Sequence, residues 1–483
     1  MRDGRKGRLH HRCRPRDLHI LKQERLARFD GVYLFLLSSV FLLWGLGNGS
    51  LASWDEGLYA SVAKGILKSG DWLNLSLDGK PWADKPPLAI WATAFFYKLF
   101  GVSEFTARLF SALCGIGTVI VTFLIGKKLF NRWTGFMGAL VLLSSSHFLR
   151  FARFGMLDAP LTFFLSLALY FFWLGHERNR YLIFSGIAIG LAVMTKGFAA
   201  FFVFPIIFLY CLWADEWQVL TRSSYWVGIM IAVGIALPWH LYASFTSQDA
   251  FVQDVVIKHL FLRTTTALEG HIGNWYFYIR VLVNKYHPWI LLGVVSAPYF
   301  LYKAIKERYE EFIFISVWMF FIFAAVTLIQ TKLPWYIYPA YPALSISVGF
   351  FLKKMFGEKY RAFIWISFIA IMILHGHYSH LFEQDYSRPI KGIAPIVREK
   401  AADHDTIYLY NYHEAPAASF YLDKSSRYLD SEQAILSAAK DDPRFVCLIR
   451  ENDLAPVAKR LQKAGVIVAG SYQEMRLLML KKA

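Results

Sequence analysis

The stretch Val32–Ser50, VYLFLLSSVFLLWGLGNGS, holds no charged residue and runs on into Trp54-Asp55-Glu56-Gly57-Leu58-Tyr59. An apolar run of this kind is long enough to cross a bilayer, which takes about 20 residues as a helix. The two adjacent carboxylates beyond its end lie where an ionised group is costly unless solvated or paired. A second segment, Asp78-Gly79-Lys80-Pro81-Trp82-Ala83-Asp84-Lys85-Pro86-Pro87, brings acids, bases and an aromatic ring into the same loop. These two stretches are read as the reactive centre of a membrane enzyme, and the rest of the chain is read around them.

Composition points the same way. The chain has 483 residues, of which 56% are hydrophobic and 18% charged, with 42 Phe, 26 Tyr and 16 Trp. That is too much apolar surface for an ordinary soluble domain. A formal net charge of +17 raises nucleic acid as a partner, but no zinc-finger, RRM-like or helix-turn-helix pattern accompanies it, so anionic headgroups of the lipid bilayer are the expected counterpart and nucleic acid is excluded. Residues 1–30 carry ten Lys or Arg against four acids. They are expected to form a basic cytoplasmic tail under the positive-inside rule, with no cleavage site after the first span. The four cysteines, at 13, 114, 211 and 447, show neither a disulfide framework nor metal-site spacing.

Apolar windows predict an α-helical polytopic membrane protein with about eleven crossings, near 32–50, 109–126, 133–149, 159–175, 181–195, 197–213, 224–245, 287–302, 312–330, 335–352 and 362–379. Pro86–Gly101 is apolar too, but Lys98 and the double proline make it an interfacial helix. The expected membrane domain is 31–380, with long periplasmic loops at 51–108 and 246–286, and residues 381–483 form a small periplasmic α/β domain. Strands are expected there at Ile407–Tyr410, Phe445–Ile449, Val466–Val468 and Leu477–Leu480, with helices at Ser431–Lys440 and Leu454–Ala464. Short cytoplasmic loops carry the expected basic excess. Lys80, Lys85, Arg150, Arg153, Lys196, Lys258, Arg263 and Lys332 nevertheless fall on the outward side, against that bias, as they would if an anion had to be held there.

Asp55 and Glu56 fit a plain capping role at a helix amino terminus. Three features favour chemistry instead: Asp84-Lys85 repeats an acid beside a base, Asp158 follows Arg150 and Arg153, and Lys332-Leu333-Pro334-Trp335-Tyr336 adds a base and a phenol at another outward helix end. Asp158 has its own plain alternative as a helix cap. Tyr59 lies one turn from Asp55, and Trp82 and Tyr336 suit either an interfacial belt or a sugar platform. Gly186-Ile187-Ala188-Ile189-Gly190 lies inside an apolar run and is read as close helix packing, not a phosphate loop.

With Gly70-Asp71-Trp72, these motifs make the chain resemble the integral membrane glycosyltransferases of the GT-C class, in the branch holding protein O-mannosyltransferases and lipid A aminoarabinose transferases. The likeness covers roughly residues 32–350. It implies transfer of a sugar from a polyprenyl-phosphate carrier to a lipid or protein acceptor at the periplasmic face of a bacterial inner membrane. Transfer of 4-amino-4-deoxy-L-arabinose to lipid A is one reading, and a protein O-mannosyltransferase-like or other envelope-glycan enzyme is the alternative. Asp55, Glu56 and Asp158 are the expected catalytic acids; Tyr59, Trp82, Asp84, Lys85, Arg153, Lys332 and Tyr336 are expected to hold substrate or phosphate. Cations suit a departing phosphate, and Asp55 suits a general base for a hydroxyl acceptor. A divalent metal enters by resemblance only. His259, His271, His287, His375, His377 and His380, with Glu56, Asp84 or Glu383, offer donors without the spacing of a dedicated site. Competing classes are a transporter of polyprenyl-linked sugars, which would carry its charges near mid-membrane, and an envelope-binding protein, which leaves the Asp55–Lys85 loop unexplained.

Overall fold

A computed structural model of the chain describes residues 15–52, 54–246, 270–356, 387–412 and 416–481, with the single positions 257, 262, 265, 266 and 385. Its first half is a helical bundle: α1 Pro15–Leu43, α2 Asp55–Ser69, α3 Leu88–Phe100, α4 Glu104–Leu129, α5 Arg132–Ser144, α6 Ser146–Ala152, α7 Asp158–Gly175, α8 Arg180–Lys196, α9 Val203–Ala214, α10 Gln218–Thr221 and α11 Ser223–Thr246. A short hairpin, β1 Ser76–Leu77 with β2 Lys80–Pro81, separates α2 from α3. The bundle continues with α12 Phe277–Lys285, α13 Ile290–Glu307, α14 Glu310–Leu328, a 3-10 turn Pro334–Ala340 and α15 Tyr341–Phe356.

Among the described residues, five helical stretches are long and apolar enough to cross a membrane, or six if α5 and α6, bent by 70° at their junction, count as one. Eleven crossings were expected, and of these the run at 32–50 is α-helical only through Leu43. The runs read separately at 181–195 and 197–213 form one helical stretch through a 3-10 turn at Gly197–Phe202. That stretch doubles back: Lys196 reaches Asp158 at the start of α7, whereas Tyr210 packs on Phe172 and His176 at its end. The run at 335–352 begins as a 3-10 turn, because Pro334 and Pro339 withhold backbone donors, and only Tyr341–Phe356 is α-helical. The run at 287–302 continues into Lys303, Lys306 and Glu307. The crossing read at 362–379 lies outside the described residues.

Close approach is bought with small residues. A Cβ on Gly186 would sit 2.0 Å from the Gly228 carbonyl oxygen, and one on Gly228 would sit 2.5 Å from that of Leu182, so α8 and α11 touch backbone to backbone. The reading of this segment as helix packing therefore holds.

The carboxy-terminal part is a five-stranded mixed sheet in the order β4-β3-β5-β7-β6, with β3 Thr406–Tyr410, β4 Ser425–Leu429, β5 Val446–Arg450, β6 Val466–Tyr472 and β7 Met475–Leu480. Pairing is parallel on both sides of β3 and antiparallel on both sides of β7. The two-residue period of a strand divides its side chains. Tyr408, Tyr410, Cys447, Ile449 and Leu478 pack with α18 Glu432–Asp441 and α19 Glu451–Lys463. Ile407, Leu409, Val446, Leu448 and Leu477 share a core with α16 Arg388–Lys400, α17 Pro416–Leu422 and, continuously, Tyr59, Ala60, Val62, Ala63 and Ile66 of α2. The sheet is thus built onto the helix that begins at Asp55. Cys114, Cys211 and Cys447 are buried free thiols.

Gly186→Ala should destabilise the protein by about 1–3 kcal/mol, because the new methyl meets backbone and not a yielding side chain. Thermal melting in detergent checks this, and an unchanged midpoint contradicts it.

Candidate active site

Asp55 is the first residue of α2, and Tyr59 stands one turn further along the same face. The Asp78-Gly79 turn of the β1–β2 hairpin has φ values of 53° and 77°, the two positive angles a tight two-residue hairpin loop demands. The hairpin swings Asp84-Lys85-Pro86 back toward Asp55. Asp158 opens α7, Lys196 closes α8, and the 3-10 turn brings Trp335 and Tyr336. These meet around one cavity of about 1300 Å³, counting its open mouth, lined by Asp55, Tyr59, Asp84, Lys85, Asp158, Lys196 and Tyr336 on the polar side. Leu161, Phe198, Phe202, Leu333 and Trp335 supply much of its apolar wall.

Inside it the charges are paired. Lys85 Nζ lies 3.0 Å from Asp84 Oδ2, and Lys196 Nζ lies 2.6 Å from Asp158 Oδ1 with the Tyr336 ring 5.5 Å away. Asp158 is 2% exposed and Lys85 8%. Both lysines thus stand at the edge of an apolar chamber, where the attraction of a cation for an anion exceeds its value in water. Trp82 is not in the wall but backs it, edge-on to Tyr59 with ring centroids 6.2 Å apart.

Three residues expected at the site, Glu56, Arg153 and Lys332, do not line this cavity. Glu56 is 1% exposed and points into the bundle, where Arg108 Nε lies 2.7 Å from Oε1 and Nη2 3.3 Å from Oε2. The same carboxylate accepts the Ala52 N–H at 2.7 Å and the Gly155 N–H at 2.9 Å. Adjacent helical residues point about 100° apart at 3.6 residues per turn, so Asp55 and Glu56 cannot both face the cavity. Arg153 donates to the Phe41 carbonyl near the end of α1 at 2.7 Å, and burial, with the Arg108 charge adding, pushes its pKa down to about 10. Lys332 donates to the Val326, Thr327 and Ile329 carbonyls at the end of α14, the position a cation takes at a helix carboxy terminus, and burial lowers its pKa. Neither lines the cavity.

Lys196, which does line it, counted among the outward cations suited to an anion but not among the residues assigned to substrate or catalysis. Its signal was a lone charge before Gly197, splitting two apolar runs at an outward end. For metal, no three His, Cys, Asp or Glu side chains among the described residues converge as ligands. Two of the three cavity carboxylates pair with lysines. His259, His375, His377, His380 and Glu383 lie outside the described residues.

Comparison with known proteins bears on this geometry. Residues 84–242 match the family model described as dolichyl-phosphate-mannose-protein mannosyltransferase. A protein of Aquifex aeolicus is 31% identical over 349 residues, covering 71% of this chain and 68% of that protein. Undecaprenyl phosphate-alpha-4-amino-4-deoxy-L-arabinose arabinosyl transferase 2 of Pseudomonas fluorescens is 29% identical over 334 residues, 67% of this chain and 56% of the transferase. The chain thus spans little more than half the length of that relative. In fold, it is similar to ArnT from Cupriavidus metallidurans bound to undecaprenyl phosphate, with a TM-score of 0.76 at 20% identity over 92% of this chain and 97% of that one. The Archaeoglobus fulgidus oligosaccharyltransferase follows at a TM-score of 0.60 and 12% identity, over 91% of this chain and 69% of that one.

Glu56→Ala should cost about 3–5 kcal/mol, since it strands a buried guanidinium. The expected outcome is loss of folded, detergent-stable protein. A variant as stable as the parent but without activity would return Glu56 to the chemistry.

Proposed function

Because the chain belongs to the GT-C class of integral membrane glycosyltransferases, in the family that protein O-mannosyltransferases share with lipid A aminoarabinose transferases, we propose that it moves a sugar from undecaprenyl phosphate onto a lipid or protein acceptor. The observation that carries this reading is the cavity itself: Lys85 and Lys196 stand beside Asp55 and Asp158 in a chamber with a largely apolar wall. Such a chamber suits a phosphate on a hydrocarbon tail.

In the proposed reaction an acceptor hydroxyl oxygen attacks the anomeric carbon while the bond from that carbon to the phosphate oxygen breaks. Asp55 takes the hydroxyl proton. The bonding electrons leave with the phosphate, and Lys85, seconded by Lys196, stabilises the charge that grows there. Asp158 holds Lys196, while Tyr59 and Tyr336 offer faces and hydroxyls to the sugar. If the acceptor is itself a phosphate, no proton need be removed, and Asp55 orients the sugar or acceptor instead. Single displacement inverts the anomeric centre, so a product of retained configuration would contradict it.

Within this scheme we assign 4-amino-4-deoxy-L-arabinose as the sugar and lipid A as the acceptor, on the support of the named relatives and the ArnT-like fold. The alternative is another envelope glycan or a protein acceptor. The proposal includes the eleven crossings, with the cavity and the carboxy-terminal sheet on the periplasmic side, in keeping with the basic short loops. A transporter is disfavoured by where the charges lie: Asp55, Asp158 and Lys196 sit at helix ends and Lys85 in a loop, not midway along broken helices.

Purified protein in liposomes, given undecaprenyl-phosphate-linked aminoarabinose and lipid A, should yield free undecaprenyl phosphate and lipid A heavier by the sugar, read by mass spectrometry. Movement of intact carrier without its release would mean transport. Asp55→Asn should lower turnover by about 10²–10⁴, the usual worth of a general base, at an unchanged melting temperature. Lys85→Ala should raise the donor KM by roughly ten- to a hundred-fold, the worth of a hydrogen bond to a charged group; an unaltered KM counts against a phosphate contact.

A further inference from the structure

We propose that Tyr421, in the carboxy-terminal sheet unit, is a positioning residue for the transfer reaction, clasping from outside the loop and helix that present Asp55. This rests on the reading of Asp55 as the proton acceptor.

The loop before α2 contains Gly45, Gly47 and Gly49, of which Gly45 and Gly49 have positive φ. Such a segment has many accessible conformations and needs ties to hold one. From the bundle side the tie is Arg108, which donates to the carbonyls of Leu46, Asn48 and Ser50 at 3.0, 2.9 and 2.8 Å. From the other side it is Tyr421, 6% exposed, whose hydroxyl accepts the Leu51 N–H at 2.7 Å and donates to Glu104 Oε1 at 3.1 Å. Glu104 and Arg108 stand four residues apart on α4, hence on one face. Lys391 adds to the same point, 2.5 Å from Glu104 and 2.9 Å from the Gly49 carbonyl, and the Ser387 N–H donates to Ser50 Oγ at 2.8 Å.

The helix is held as closely as the loop. Ser61 Oγ donates to the Pro416 carbonyl at 2.8 Å, and Lys64 donates to the Phe420 carbonyl at 2.7 Å and pairs with Asp423 at 2.7 Å. At Gly57, two residues from Asp55, a Cβ would lie 2.8 Å from the backbone of Ala417, so α17 rests directly on the first turn of α2. Displacing a reacting group by about 1 Å can cost about a hundredfold in rate. A unit that merely docked here for its own stability would have no need to bond the loop that leads into Asp55.

The test uses the full-length protein in the transfer assay above, with hydrogen exchange over residues 50–58 measured beside it. Tyr421→Phe keeps the ring and removes both hydrogen bonds. It should lower kcat at least tenfold with the donor KM within twofold, and speed exchange at the Gly57 and Leu58 amides while the sheet strands stay protected. Gly57→Ala favours helix by intrinsic propensity yet forces α17 off α2, and should show the same kcat loss. Unchanged exchange, or normal kcat in both variants while Asp55→Asn is inactive, overturns the positioning role and leaves the catalytic reading standing. Full activity in Asp55→Asn overturns that reading, and the role of Tyr421 falls with it. A loss of activity that merely tracks a fall in melting temperature, with exchange raised throughout the sheet, also overturns it.

Discussion

A guanidinium and a carboxylate removed from water hold the reactive end of this protein together. Two charges in a low-dielectric interior repay their desolvation only when geometry is good and the remaining donors and acceptors are satisfied. Glu56 and Arg108 meet both conditions. All five N–H groups of Arg108 are engaged, two by Glu56 and three by the carbonyls of Leu46, Asn48 and Ser50, and Glu56 adds the amides of Ala52 and Gly155. One pair thus ties α4, the glycine-bearing loop, the start of α2 and the turn before α7. Asp55 and Asp158 each stand within three residues of an atom so fixed.

The neighbouring acids of the Trp54-Asp55-Glu56 motif therefore divide their work. The helix turns one toward the bundle, where it is structural, and leaves the other in the cavity wall. Within that wall Lys85 pairs with Asp84 and Lys196 with Asp158, where a lone buried charge would be costly. On the proposed reading, an arriving phosphate exchanges one anionic partner for another and need not create a charge pair from nothing. The sheet unit completes the frame, since its core runs without a break into α2.

Much of this was legible in the chain. Acid, base and aromatic residues in Asp55–Tyr59, Asp84–Lys85, Asp158 and Tyr336 announced the cavity because charge at the end of an apolar run is costly and so has a purpose. The strands at 407–410 and 477–480 announced themselves through apolar runs. What stayed hidden depended on direction and partner. Nothing local tells which of Asp55 and Glu56 faces inward; that is decided by Arg108, 52 residues away. Arg153 and Lys332 have the right charge at the right end, but each finds the carbonyls of a helix terminus first. Strand β4, Ser425–Leu429, is a polar edge strand with no apolar run to mark it. The helices depart from the apolar windows at prolines, where the run at 335–352 opens as a 3-10 turn, whereas at Lys196-Gly197 the chain doubles back as the two separate runs there imply.

The central claim is that the Asp55 cavity opens to the periplasm, where a sugar can leave its lipid phosphate. Trp54 adjoins Asp55 and is 54% exposed, and Cys114, Cys211 and Cys447 are buried. Trp54→Cys, with Cys13 replaced by Ser, can be treated in cells whose inner membrane is intact with a maleimide that cannot cross it. Position 54 should react fully without permeabilisation of that membrane. Reaction only after the inner membrane is opened would place the acid on the cytoplasmic side and contradict the account.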